Sequence, residues 1–465
     1  MQMSTEQVAA SISAPWVLMT LGLIAVGIGL MLNPRRVPES LLALLILLTP
    51  MMYNIYMPRS VLGVRGLTLG NLLFMIAFLL LCVRIAGSGR VFGLVRAFLS
   101  VPLLLMMAAY AFGFGITFFA DERHPFYASG GSITDLIMLE MLKPMQMMII
   151  GWLAMLVCFM QGGKQYIQRV LLLGPVVLLP VVVVFTAMGG EGDLYRGRDA
   201  LSWYLRLHAN QVGAIGVYFL VLALMMREHA WPLVRNLAIF CSLGLVALSF
   251  SRIAFLTTIV MLGLLFFRIN RAERRILIAA LFVAVLVFAG DWAYRLQTGI
   301  DLDNMQGVVS VRQLGAEGVD LNEVSAGRVE DIWLPALEMI EQKPWTGHGV
   351  GTPVVAPRYG FIAAHNAYIT ILLELGIIGA LALVNLLFFA FKDSFARNRD
   401  LFYVLVTLCL LTLTGHQFYP YHSTHILWVV YGMALAERYG FAFRQRASET
   451  TQPTAAAYGH PASSA

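Results

Sequence analysis

Charged side chains are what this sequence has least of. Asp, Glu, Lys and Arg make up 12% of its 465 residues, against roughly 25% in an ordinary soluble domain. With 59% hydrophobic residues and a mean hydropathy of +0.76, the chain cannot enclose its apolar surface in a water-soluble core. It is an integral membrane protein by composition. Cysteine is scarce as well: Cys82, Cys158, Cys241 and Cys409 each fall inside an apolar run, and none pairs with another at metal-ligand spacing. That excludes a zinc framework and leaves them as small core or lipid-facing residues. The net charge of +6 comes from arginines in short loops between apolar runs, so it orients the chain in a bilayer and is no footprint of nucleic acid.

Apolar runs recur at about 16–32, 40–57, 66–83, 97–118, 136–160, 170–188, 211–226, 236–250, 251–267, 276–291, 366–391, 400–417 and 425–439. Most can cross a hydrocarbon core of roughly 30 Å as a helix. They predict an all-α, polytopic membrane domain over 1–446 with about 12–13 transmembrane helices. A cytoplasmic tail over 447–465, rich in Ala, Thr, Pro, Gln and Ser, is expected to be disordered. The first run is too long and too lightly charged at its start for a cleaved signal peptide, and is expected to stay as a helix. The most basic short loops are Arg268 to Arg275, Lys392 to Arg399 and Arg438 to Arg446. If these are cytoplasmic, the segments 292–365 and 189–210 are external. Two arrangements fit the short runs 236–250 and 251–267. A hairpin turning at Ser249-Phe250-Ser251-Arg252 sets Arg252 near the external surface. One unbroken helix would bury its guanidinium, at about 2.5–3.5 kcal/mol if unpaired at mid-membrane.

The external segments carry the polar chemistry. In 189–210, Arg196, Arg198 and Arg206 lie where positive charge is discouraged. They are either surface residues balanced by Glu191, Asp193 and Asp199 or a basic mouth for an anionic headgroup, to which guanidinium offers a bidentate fork. From Ala326, the positions Val329, Ile332, Trp333, Ala336, Leu337 and Ile340 recur at helical spacing. They predict an amphipathic helix over 326–342, kinked by Pro335 and ended by Pro344 and Gly347. Arg328 stands in its first turn, as a capping or ion-paired residue beside Glu330 and Asp331 or as a ligand for substrate. The run Gly347-His348-Gly349-Val350-Gly351 is glycine-rich enough to bring backbone N–H groups to an anion, with His348 as a further contact. It lacks the strand and the Lys-Ser/Thr of a nucleotide loop. His365-Asn366 stands where the chain re-enters the membrane, with Tyr368 just below as a headgroup anchor; the histidine is a helix-cap partner or a reactive group. His416, His422 and His425 flank a short external turn and can join it. Glu374, inside the following apolar run, should face protein, because a carboxylate facing lipid is costly.

Taken together, these residues resemble a family. Ser251-Arg252-Ile253-Ala254-Phe255-Leu256, Gly327-Arg328 with Trp333, Pro344-x-x-Gly347-x-Gly349, His365-Asn366-Ala367-Tyr368 and Glu374-Leu375-Gly376-Ile377-Ile378-Gly379 are similar to motifs of the O-antigen ligase and O-antigen polymerase superfamily. Asn210-Gln211-Val212-Gly213, after Arg198 and Arg206, resembles its Asn-bearing helix start, with Ala209 where Pro is usual. The resemblance spans about 190–390. It implies a membrane-embedded glycosyltransferase that needs no metal or other cofactor. The implied donor is a glycan on undecaprenyl diphosphate at the periplasmic face of the bacterial inner membrane. The implied acceptor is a second lipid-linked repeat in a polymerase, or lipid A-core in a ligase. Membrane lipids and other polysaccharide-biosynthesis proteins are the implied partners.

The residues suit that chemistry when read on their own. Displacement at an anomeric carbon builds charge on a departing diphosphate, which Arg252 and Arg328, with Arg198 or Arg206, can stabilise. No aspartate cluster at metal spacing lies in the external segments. His365 is the expected general base, since imidazole titrates near neutral pH, and Asn366 orients it or binds a sugar hydroxyl. Glu374 is the alternative base, with His365 then a phosphate ligand. A transporter of lipid-linked sugars is the rival class, but the hydropathy shows no internal repeat and the arginines gather at one level instead of lining the depth of the chain.

Overall fold

The computed structural model describes residues 99–160, 162–189, 209–226, 232–249, 251–266, 328–397, 399–413 and 424–451, with 39, 41–43, 45–47, 76, 79, 271, 274, 275, 277–279, 282 and 286. The run 16–32, most of 66–83 and of 276–291, Arg196, Arg198, Arg206, His416 and His422 lie outside these residues, as does 452–465. Among the described residues the protein is a helical membrane bundle. The helices are α1 (Val101–Phe118), the short α2 (Pro125–Ala128) and α3 (Ile133–Asp135), α4 (Leu142–Cys158), α5 (Gly163–Gly189), α6 (Ala209–Met225), α7 (Pro232–Ser249), α8 (Arg252–Leu265), α9 (Leu334–Gln342), α10 (Ala367–Arg397), α11 (Arg399–Leu411) and α12 (Thr424–Thr451). Segments Val101–Phe118, Gly163–Val184, Pro232–Ser249 and Ala367–Phe395 are long and apolar enough to cross a membrane. A hairpin, β1 (Val354–Ala356) with β2 (Gly360–Ile362), is the exception to the all-α plan.

Helix α6 is the centre of the bundle. Every residue from Gln211 to Leu224 is buried, as expected of a helix that is apolar all round. Its glycines let neighbours approach: a Cβ on Gly216 would lie 2.9 Å from the Ser242 carbonyl oxygen of α7. The main core joins α6 to residues of α4, α5, α11 and α12, with Tyr218 and Phe219 at its middle. Between α7 and α8 the chain breaks, so the unbroken-helix arrangement is not the one adopted. Ser251 takes extended backbone angles (φ −85°, ψ 112°), and its hydroxyl caps the new helix by accepting from the Ala254 N–H at 3.5 Å.

The amphipathic segment forms as expected but not as one α-helix. Val329–Trp333 is a π turn and Leu334–Gln342 an α-helix. Pro335 accounts for the change: it has no N–H for the fourth carbonyl before it, and a local π widening absorbs the defect without a sharp kink. The apolar face of α9 packs with the hairpin and with α10, through Ile332, Ala336, Met339, Val354, Ala356, Ala364 and Leu373. The hairpin was not expected from the sequence. Its Pro357-Arg358-Tyr359 loop is followed by Gly360 at φ +68°, the left-handed residue that such three-residue loops need.

The run 366–391 is also not one continuous helix. Gly376, at φ 61° and ψ −160°, breaks α10 after nine residues. A continuous helix would bond Ile377 N–H to the Leu373 carbonyl and Ile378 N–H to that of Glu374. Here the glycine loop, 343–352, inserts into both pairs. The N–H groups of His348 and Gly349 donate to the Leu373 and Glu374 carbonyls at 2.8 and 2.9 Å, while Ile377 and Ile378 N–H donate to the Pro344 and Trp345 carbonyls at 2.8 and 3.3 Å. The crossing leaves no room for side chains. A Cβ on Gly376 would lie 2.4 Å from the Trp345 carbonyl oxygen, and one on Gly347, at φ +66°, 2.4 Å from the Glu374 carbonyl carbon.

The break falls inside the candidate span Ala367–Phe395, and Trp345, whose carbonyl takes the Ile378 N–H, is 65% exposed beside it. At the opposite end Lys164 pairs with Glu437, and Arg438 with Asp393 at 2.6 Å.

Two substitutions separate backbone strain from steric exclusion. Gly376→Ala should destabilise the protein by at least about 3 kcal/mol, combining the left-handed strain with the collision. Gly360→Ala, with the same sign of φ but nothing within 4 Å, should cost only about 1 kcal/mol. Thermal unfolding in nanodiscs measures both, and equal losses would contradict the steric role of the crossing.

Candidate functional site

The entry to α10 is assembled from three directions. Asn366 acts as an N-cap, its Oδ1 accepting from the N–H groups of Tyr368 and Ile369 at 2.9 and 3.2 Å, while its Nδ2 donates to the Leu413 carbonyl at 3.0 Å. Ala367 N–H donates to the Thr412 carbonyl at 3.1 Å. The Tyr368 hydroxyl donates to the Cys409 carbonyl at 3.2 Å and accepts from Thr412 Oγ1 at 3.1 Å. The His-Asn-Ala-Tyr motif is thus pinned to the end of α11. Its first residue is the exception: His365 is half-buried, and it is the one non-glycine residue with positive φ, 53°, among the described residues. Histidine tolerates that conformation better than most side chains.

Trp333, five positions after Arg328 in the same helical segment, donates its indole N–H to the Ala364 carbonyl, next to His365, at 3.0 Å. Arg328 immediately precedes the π turn and is half-buried. Arg252 is the first residue of α8. The turn before it presses on the start of α6, where a Cβ on Gly213 would lie 2.6 Å from Ser249 Oγ and 3.1 Å from the Ser251 Cβ. Asn210, exposed at the head of α6, therefore shares one end of the bundle with Arg252.

The glycine loop has spent its N–H groups. Those of His348, Gly349 and Val350 go to the carbonyls of Leu373, Glu374 and Gly113, and that of Gly351 to Glu374 Oε1 at 3.0 Å. The carboxyl group that the loop meets is thus a side chain of α10. Glu374 is 4% exposed and faces protein, and its second oxygen has no hydrogen-bond partner among the described residues. The ring of His348 is buried too, with Nε2 donating to the Met339 carbonyl at 2.7 Å. Burial holds its pKa below the usual histidine value, helped by Lys343 and His124 and opposed by the Met339 carbonyl.

Two features escaped the sequence reading. One is His124, after α1, whose Nε2 meets the His348 carbonyl and whose Nδ1 accepts from Phe126 N–H at 3.3 Å. Burial again lowers its pKa; Lys343 adds to this, and the His348 carbonyl and Asp121 oppose it. A polar residue before Pro125 is a helix-start signal, but nothing local points to a partner 224 positions away. The other is an apolar slot of about 360 Å³ between α1, α4, α10, α11 and α12. Tyr110, Phe114, Leu386 and Trp428 line it together with six methionines, a soft and adaptable wall. On α10 its lining takes Ile371 from before the break and Leu383, Leu386, Leu387 and Ala390 from after it.

No curated protein matches the chain. Residues 237–384 match a family model described as O-antigen ligase, a stretch that includes the starts of α8 and α10, the π turn, the glycine loop and the break at Gly376. Over that stretch, about a third of the chain, the protein is similar to O-antigen ligases, which supports the resemblance to the O-antigen ligase and polymerase superfamily.

Proposed function

We propose that the protein joins undecaprenyl-diphosphate-linked oligosaccharide repeats into a surface or exported polysaccharide. Transfer is metal-independent and takes place at the periplasmic face of the bacterial inner membrane. The observation that carries this reading is the slot. An apolar slot lined from both sides of the break at Gly376 gives part of a lipid-linked donor's tail a place against the helix whose entry carries His365.

In the proposed reaction an acceptor hydroxyl attacks the anomeric carbon. A new glycosidic C–O bond forms as the bond to the diphosphate oxygen breaks, and the configuration inverts. His365 takes the hydroxyl proton, and the electron pair leaves on the diphosphate, which Arg252 and Arg328 stabilise as charge develops. Arg198, Arg206 and Asn210 extend the donor site. Tyr368, Asn366 and His348 hold the walls through the contacts already described, and Glu374 fixes the glycine loop from below. Ligation of the glycan to lipid A-core is the second reading, favoured by the description of the matching family.

Purified protein given undecaprenyl-diphosphate-linked repeats alone should build a ladder of longer glycans. A strict need for lipid A-core makes it a ligase, and flipping in proteoliposomes without bond formation defeats both enzymatic readings. His365→Asn is the sharper variant at that position, because Asn also tolerates positive φ. It should insert and melt normally yet lose turnover, and retained turnover removes the base. Arg252→Lys should lose roughly a hundredfold in rate, since a point charge does not reproduce a guanidinium fork. Narrowing the slot with Ala111→Phe should weaken transfer from undecaprenyl donors far more than from short-chain ones. Equal effects on both would show that the tail lies elsewhere.

A further inference from the structure

Helix α1 sits at the edge of the bundle with Leu104, Leu105, Phe112 and Phe118 exposed, and it forms one wall of the slot through Tyr110 and Phe114. At its loop end it is tied to the glycine loop. Val350 N–H donates to the Gly113 carbonyl at 3.1 Å and Thr117 Oγ1 to the Val350 carbonyl at 2.8 Å. The Tyr127 hydroxyl donates back to the Thr117 carbonyl at 2.9 Å, which secures the loop that carries His124. The last tie is His124 itself, 7% exposed, whose Nε2 lies 2.5 Å from the carbonyl oxygen of His348.

The partners of His124 define its protonation state. A carbonyl only accepts, so Nε2 carries the hydrogen. A backbone N–H only donates, so Nδ1, facing Phe126 N–H at 3.3 Å, keeps its lone pair. The ring is therefore neutral with both nitrogens engaged. A second proton would set Nδ1–H against Phe126 N–H and place a buried cation beside Lys343. Of the charged groups that act on the ring, Lys343 opposes that cation and Asp121 favours it. His348, the other buried imidazole, is held by Met339.

We propose that His124 and His348 form an acid-released clasp, which fastens the loop end of α1 to the glycine loop and so controls how far this wall of the slot can part from α10. The sign follows from linkage. Both rings titrate below the ordinary histidine value of about 6.5 when the clasp is closed, and near it when open. The closed state is therefore fully favoured above about pH 6.5. As pH falls below that value, the open form takes up protons first, raising the open-to-closed ratio up to about tenfold per pH unit for each ring.

Hydrogen exchange of the full chain in nanodiscs tests this, read from peptides covering 119–131 and 343–352 at about pH 7.5 and about pH 5.5 and corrected for intrinsic rates. Wild type should open more at the lower pH, by up to about tenfold for each ring. His124→Gln keeps a donor for the His348 carbonyl and removes one titration, so it should stay closed and lose half or more of the response. His124→Ala should open at both pH values. Opening that does not change with pH in wild type overturns the clasp, as does a His124→Gln protein that opens with acid as fully as wild type. Should the variants fail to fold, the wild-type profile still decides. Acid opening shared by 401–411 of α11 would mean global loosening and would also overturn the proposal.

Discussion

Four backbone hydrogen bonds exchanged across the break at Gly376 hold the rest of the described structure in place. In water each would contribute only about 0.5–1.5 kcal/mol net. Within an apolar span the comparison is different, because an N–H or carbonyl left unmatched there costs several kcal/mol. Either the loop occupies the gap completely or the helix closes without it. Every other position in the crossing then becomes constrained: Gly376 and Gly347 because a Cβ would strike backbone, Glu374 because its carboxyl must meet Gly351 N–H inside protein, Trp345 because its carbonyl faces inward and leaves the indole outside.

From that crossing the candidate site inherits its rigidity. The π turn, α9 and the hairpin pack on the first turns of α10, before the break. Trp333 then reaches the carbonyl before His365, while α11 holds Asn366 and Ala367 from the other side. His365 is left between two fixed neighbours with positive φ. Such a conformation persists only where the surroundings over-determine it. The positioning is a property of the ends of several elements and of no single one, as in other sites built on helix termini.

Much of this was legible in the sequence. Composition and run length were enough for a helical membrane protein, and the spacing of Val329, Ile332, Ala336 and Ile340 was enough for the amphipathic segment. What the motifs do was less legible. The glycine run resembled an anion-binding loop because glycines free N–H groups, yet the acceptors for those of His348, Gly349 and Gly351 lie in α10, more than 20 residues on, and that for Val350 is Gly113 of α1. Glu374-Leu375-Gly376 sits in a run apolar enough to pass for an unbroken span, since hydropathy does not register a backbone angle. Pairings such as His124 with the His348 carbonyl depend on tertiary packing, and local signals cannot carry them.

The break bears directly on the proposed chemistry. A diphosphate joined to a hydrocarbon tail must lie at the membrane boundary, because neither part can exchange environments cheaply. The slot takes Ile371 from the first part of α10 and Leu383, Leu386, Leu387 and Ala390 from the second, so it faces both sides of the break, and His365 precedes the same first part. An unbroken α10 would lack the loop that fills the gap in its backbone hydrogen bonds, and with it the ties of Val350 to Gly113 and Thr117 of α1, a wall of the slot. The break is therefore what couples the proposed lipid site to the proposed base.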